Sequence, residues 1–352
     1  MRVDDFDYEL PDARIAQTPI EPRDAARLLV DRGAQAPEHR YVRDLPDLLQ
    51  AGDLVVLNET RVLPARLRLR RVSGGAVEVL LLEAADTTRR RWEALVRPGG
   101  KLRVGERLLA ESSRTHAIGA PIVEMGERTA AGDTFWIELV ADGDPLETLA
   151  GIGEMPLPPY IHERLDDPER YQTVFAGEPS SAAAPTAGLH ITSDLLARLG
   201  GAGVAVVTVE LVVGLDTFQP ISTDNPLDHP MHTERYRVPQ ATWDACQSTR
   251  ARGDRVVAVG TTAVRALESA AARHELAGRT DLFIHRGFDW RVVDVLMTNF
   301  HLPRTTLLMM IDAFVGPRWR QLYATALNEQ YRFLSFGDAM LLDRAAHPPA
   351  GD

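Results

Sequence analysis

The chain has 352 residues, room for two ordinary domains, and its 45% hydrophobic and 25% charged residues are average for a globular protein. No apolar run approaches the ~18–20 residues that span a bilayer as a helix, and the single cysteine, Cys246, excludes an internal disulfide. A net charge of −11 argues against a nucleic-acid partner, yet residues 61–107 hold twelve Lys/Arg against five Asp/Glu, leaving −18 on the rest.

The opening MRVDDFDYELPDARIAQTPIEPRD is acidic and polar, without an apolar leader, so a cytoplasmic location is expected. "ARLLVDR" reads as a strand, "LPDLLQAG" as a short helix and "DLVVLN" as a buried strand ending at Asn58. From about 60 to 145, short apolar runs alternate with turn signals and show no 3.6-residue period. That pattern predicts strands in a small closed sheet. Its arginines are Arg61, Arg66, Arg68, Arg70, Arg71, Arg89, Arg90 and Arg91, with further cations to residue 107. They suit phosphate contacts, although "ARLRLRRV" also describes any strand with one wet face.

Beyond "GDPLETLAGIGEMPLPPYI" helix and strand alternate. "SSAAAPTAGLHIT" is small and polar, which lets backbone approach either another segment or a ligand. "TSDLLARLGGAG" is a capped helix, "VAVVTVELVVG" a strand covered on both faces, and "QATWDACQSTRARG" a helix containing Cys246. "RVVAVG" is a buried strand opening into the helix "TTAVRALESAAARH". "WRVVDVLMTNF" is a strand, followed by the helices "TTLLMMIDAFVG" and "PRWRQLYATALNEQY". The expected fold class is α/β, a largely parallel sheet with flanking helices. Residues 1–58 and 150–352 form it, and 59–149 are an inserted basic β domain.

Ligands of open α/β sheets bind beyond the carboxyl ends of strands. Four such ends here carry polar groups: Asn58 to Arg61, Asp216 to Gln219, Thr261 and Thr262 with Arg265, and Thr298, Asn299 and His301. Gly260 ends a strand, and Thr261 or Thr262 is expected to cap the next helix, leaving N–H groups for an anion. Arg265 and Glu268, at i and i+3, are expected to pair. "DHPMHTERY" gathers Asp228, His229, His232 and Glu234, but Pro230 and the absence of a His-Glu-x-x-His pattern favour acid–base or hydrogen-bonding roles over a metal. Nucleophile-elbow, phosphate-loop and dinucleotide glycine motifs are missing.

The segments "VLNETRVLPARL", "MPLPPYI", "YQTVF", "AAAPTAGLH", "DTFQPI", "DHPMHTE", "VGTTAVRALES", "TNFHLPRTTLLMMIDAF" and "YRFLSFGDAML" together resemble the S-adenosylmethionine:tRNA ribosyltransferase-isomerase family of queuosine biosynthesis. The likeness runs in order from residue 1 to about 342. It implies an α/β domain with an inserted small antiparallel β-barrel. It also implies transfer and isomerisation of the ribosyl part of S-adenosylmethionine onto the 7-aminomethyl-7-deazaguanine at the wobble position of tRNA. The product is epoxyqueuosine-tRNA, and adenine and methionine leave. The reaction needs a base near the ribose carbon beside the sulfonium and an acid for adenine, and it requires no metal.

On this resemblance His190, Asp216, His229, His232, Glu234 and His301 form the acid–base pool. Thr186, Gly188, Gly260, Thr261, Thr262, Arg265 and Asn299 are expected around S-adenosylmethionine, with Arg265 toward the methionine carboxylate. The barrel arginines are expected along tRNA phosphates. Two departures stand out. Glu59 replaces a second asparagine before Thr-Arg, and "LVVGLDTF" puts Val212 and Asp216 where the family commonly has histidine and glycine. Two other readings fit the sequence: ribosyl transfer to a small deazapurine or amine, and a non-catalytic RNA-binding protein on the same scaffold. tRNA-dependent adenine release separates them.

Overall fold

The structure, a computed structural model, describes residues 1–33, 35–111, 117–130, 132–177, 179–213, 221, 223, 225–229, 231 and 233–345. Two compact units emerge. The larger comprises Met1–Thr60, Pro158–Glu178 and Pro185–Asp352, and the smaller Arg61–Leu157 with Pro179–Ala184. The smaller unit thus reaches past residue 149 and takes in the first half of the small-residue stretch.

The larger unit is built on a nine-stranded mixed sheet. Its spatial order is Ala277–Thr280, Glu234–Arg237, Ala205–Leu211, Leu54–Asn58, Val256–Val259, Val295–Asn299, Ala339–Asp343, Arg27–Asp31 and Glu38–Tyr41. The four strands from Ala205–Leu211 to Val295–Asn299 are mutually parallel. Three of them, "LVVLN", "VVAV" and "VLMTN", are buried at every residue, as strands covered on both faces must be. Antiparallel pairing enters at both edges and between Val295–Asn299 and Ala339–Asp343. At the latter position two helices, Thr306–Val315 and Trp319–Asn328, lie between the strands in the chain, and the antiparallel register starts the next strand at the end where the previous one finished.

Local sequence explains the helix ends. Thr192 accepts from the Leu195 N–H, and Thr305 accepts from the Leu308 N–H. The helix Thr261–Arg273 differs from expectation: its N-cap is Gly260, which has no side chain to cap it. Gly260 has φ +88°, a left-handed turn that throws the strand straight into the helix and puts both threonines inside the first turn. Nearly all of this helix is buried, Arg265 and Glu268 included.

The smaller unit is a closed antiparallel barrel of six strands: Arg66–Arg71, Ala76–Ala84, Arg91–Arg97, Phe135–Leu139, Pro121–Arg128 and Arg107–Ala110. It closes where Arg107–Ala110 pairs back onto Arg66–Arg71. In "RLRLRR" Leu67 and Leu69 fill the interior while Arg68 and Arg70 face water. Among the described residues no helix is long and apolar enough to cross a membrane.

Candidate functional site at the carboxyl ends of the parallel strands

Within the larger unit, Asn58, Gly260 and Asn299 follow or end three adjacent parallel strands. Asn58 is a clamp. Its Oδ1 accepts from the Leu211 N–H (3.1 Å) and its Nδ2 donates to the Leu211 carbonyl (3.1 Å), locking the neighbouring strand end.

Asn299 organises the other side. Its Nδ2 donates to the Asp338 carbonyl (3.3 Å) and to His190 Nε2 (3.2 Å), while its Oδ1 accepts from the Thr186 hydroxyl (2.9 Å). A carbonyl only accepts, so the amide nitrogen faces Asp338 and His190 Nε2 must present its lone pair. The imidazole is therefore the neutral Nδ1–H tautomer. Burial pushes its pKa down to about 4, against the pull of a hydrogen bond to the Arg23 backbone. His190 also lines a small open cleft with Pro19, Arg23, Arg170 and Phe336.

His301 lies two residues past the same strand. Its Nε2 meets the Thr298 hydroxyl (3.1 Å), and its backbone N–H donates to the Tyr323 hydroxyl (3.0 Å). Burial pushes its pKa down to about 3. Both histidines are neutral at pH 7, which has a consequence for stability. In the unfolded chain each titrates near 6.5, so below that pH the unfolded state takes up protons that the folded state refuses. Stability is complete above 6.5 and falls progressively toward pH 4. The thermal midpoint should drop across that window, and His190→Gln should make the drop shallower. A midpoint independent of pH from 6.5 to 4 would contradict the burial of both rings.

Arg265 does not pair with Glu268. Its Nη1 donates to the Glu234 carboxylate at the start of the neighbouring strand, and both side chains are buried. Glu268 turns instead to the backbone N–H groups of Arg291, Val292 and Val293 (3.0, 3.0 and 2.9 Å). Glu234 is thus held by a guanidinium and is not an unengaged acid.

Gly188 has a packing reason. A Cβ there would sit 2.9 Å from the Phe175 ring and 3.1 Å from Thr173, so the small residue admits another piece of the protein. His229 is half-buried. Asp216 and His232 lie outside the described residues. Among the described residues no group of three or more His, Cys, Asp or Glu is placed to hold a metal ion.

A family model described as queuosine biosynthesis protein matches residues 3–342. The chain belongs to the queuosine biosynthesis protein family. A relative from Symbiobacterium thermophilum, named S-adenosylmethionine:tRNA ribosyltransferase-isomerase, is 48% identical over 97% of this chain and 100% of its own. One of the same name from Staphylococcus aureus is 44% identical over 97% and 100%. The crystal structure of an S-adenosylmethionine tRNA ribosyltransferase from Thermotoga maritima matches with a TM-score of 0.54 and 37% identity, covering 96% of this chain and 99% of that one.

In this family member several barrel arginines are already engaged. Arg71 makes a two-pronged contact with Glu106 (2.6 and 3.0 Å), Arg68 pairs with Glu154 (3.0 Å) and Arg70 with Glu111 (3.0 Å). Arg91 lies over the Trp136 ring. Arg90 donates to the carbonyls of Leu139, Ala141 and Gly143, tying down the chain that leaves the barrel. Arg61, Arg66 and Arg89 are half-buried. In the sequence all eight look alike, because partners more than thirty residues away in the chain carry no local signal.

Proposed function

We propose that this protein is an S-adenosylmethionine:tRNA ribosyltransferase-isomerase. It moves the ribosyl moiety of S-adenosylmethionine onto the 7-aminomethyl-7-deazaguanine at the wobble position of tRNA, in the cytoplasm, giving epoxyqueuosine-tRNA. One observation carries the placement of the site: Asn58, the Gly260–Thr262 turn, Asn299 and His301 meet at the carboxyl ends of adjacent parallel strands, where α/β sheets bind ligands.

The residues divide by what their surroundings allow. His190 has its Nε2 lone pair occupied by Asn299, so it positions rather than takes the ribose proton. Asn299 and Thr186 hold the 186–190 segment against the strand end. Thr261 and Thr262 open the helix that faces the cofactor-substrate, whose positive sulfur acidifies the adjacent ribose C–H. Asp216, His229, His232 and His301 remain as the acid–base pool, and Glu234, committed to the Arg265 guanidinium, only positions that side chain. The neutral, low-pKa His301 is a weak base suited to accepting a hydrogen bond.

Incubating the full chain with S-adenosylmethionine and tRNA bearing the aminomethyl-deazaguanine should release adenine and methionine in equal amounts. Release with the free deazapurine alone would favour a small acceptor, and no release under either condition would favour RNA binding without catalysis.

Arg68, Arg70 and Arg91 lie exposed on the barrel, and tRNA phosphates compete for them with their present partners Glu154, Glu111 and Trp136. Replacing all three with alanine should lower the slope of log affinity for tRNA against log salt by roughly 0.7–0.9 for each phosphate no longer neutralised. Arg90→Ala should leave that slope unchanged and destabilise the barrel by about 1–3 kcal/mol through its orphaned carbonyls. Filter binding at several salt concentrations reads the first effect and thermal denaturation the second. The assignment fails if Arg90 governs the slope.

A further inference from the structure

We infer that Arg265, Thr262 and the uncapped start of their helix form a buried subsite for one planar carboxylate, the α-carboxylate at the amino-acid end of S-adenosylmethionine. This subsite rests on the activity proposed above and specifies what the site selects.

Arg265 is 6% exposed, and Glu234 engages only its Nη1. Its Nε and Nη2 have no partner among the described residues. Those two atoms are not a random pair. They form one edge of the guanidinium, with parallel N–H bonds spaced to meet both oxygens of a carboxylate.

Three other arginines here use that same edge in that way. Arg71 grips Glu106, Arg255 grips Asp53 (3.1 and 2.5 Å), and Arg286 grips Asp312 (3.1 and 2.7 Å). At Arg265 alone among these four the edge is both buried and unfilled. Leaving two charged donors without a partner inside a protein is costly, and a site built to receive a ligand explains why it persists.

A second orphan points the same way. The Thr262 hydroxyl is buried and also unpartnered among the described residues. Residues 262 and 265 stand at i and i+3 on one helix face, and helical side chains lean toward the N-terminus. The Arg265 edge and the Thr262 hydroxyl therefore face the first turn, whose N-cap residue Gly260 has no side chain to cap the backbone N–H groups. That end of the helix adds partial positive charge.

Charge balance selects the ligand class. Glu234 already neutralises Arg265, so a phosphate would bury one or two uncompensated negative charges. An amino-acid end brings its own ammonium, and a sulfonium adds another positive charge, so the carboxylate arrives compensated.

The test compares S-adenosylmethionine with its decarboxylated analogue, which keeps the sulfonium, ribose, adenine and amine. Wild-type kcat/KM for tRNA-dependent adenine release should be about 100-fold or more lower with the analogue, mostly through KM. Arg265→Lys keeps a cation against Glu234 but removes the fork. It should bring the S-adenosylmethionine value down toward that of the analogue and change the analogue's own value less than about threefold. Thr262→Val should act with the same selectivity and a loss of about 5–10-fold.

Equal kcat/KM for the two compounds in wild type, or equal losses for both in the variants, would overturn the subsite. Absence of adenine release from S-adenosylmethionine by the wild type would instead overturn the activity. Calorimetric affinities for the two compounds would then still decide the subsite, with equal values refuting it.

Discussion

Asn299→Ala should cut kcat/KM for S-adenosylmethionine by about 100-fold or more and lower stability by about 3–5 kcal/mol. The first figure follows from positioning, because a displacement of ~1 Å in a catalytic segment costs about two orders of magnitude. The second follows from orphaning. The Asn299 amide serves His190 Nε2, the Asp338 carbonyl and the Thr186 hydroxyl, and each buried group left unpaired costs about 1–3 kcal/mol. Asn299→Asp separates the roles. A carboxylate cannot donate to His190 or Asp338, but it attracts a proton onto the imidazole. The His190 pKa should then rise well above its value of about 4, which NMR titration of the ring would read. A normal turnover in Asn299→Ala, or an unmoved His190 titration in Asn299→Asp, would show that the network does not hold the site.

Glu268→Ala should destabilise the larger unit by about 3–5 kcal/mol, with little direct effect on chemistry. Glu268 is fully buried, and its carboxylate gathers the N–H groups of three consecutive residues, Arg291 to Val293, just before the strand Val295–Asn299. Burial pushes its carboxyl above the ordinary range, while those three amides pull it back. Alanine leaves three buried donors unanswered and a cavity. Glutamine keeps the volume and one acceptor, so Glu268→Gln should lose less. Urea denaturation of the three proteins should rank them wild type, Gln, Ala. A Glu268→Ala protein as stable as wild type would contradict the clamp.

Much of this fold is written locally. "DLVVLN", "RVVAVG" and "VVDVLMTNF" are continuous apolar runs rich in β-branched residues, and each forms a central buried strand. The arginine–leucine alternation of "ARLRLRR" signals a half-wet strand, and the barrel uses it so. What stays hidden depends on partners remote in sequence. Arg265 and Glu268 satisfy the helical spacing for an ion pair, yet a glutamate 31 residues back and three amides 23–25 residues on compete for them and win. Two threonines after Gly260 obscure its role as the cap, and only the backbone angle distinguishes the cap from the first turn. Gly188 resembles a ligand approach because its true neighbour, Phe175, lies on a separate segment. The antiparallel pairing of Ala339–Asp343 likewise depends on a two-helix return, whose handedness and landing point no local pattern encodes.

The position of the sulfonium nucleoside decides the assignment of the site. A crystal structure of the full chain with S-adenosylmethionine bound should show its sulfur beside the strand ends defined by Asn299 and the Gly260–Thr262 turn, with its carboxylate against Arg265. Density for the nucleoside anywhere else on the molecule, with those strand ends empty, would contradict it.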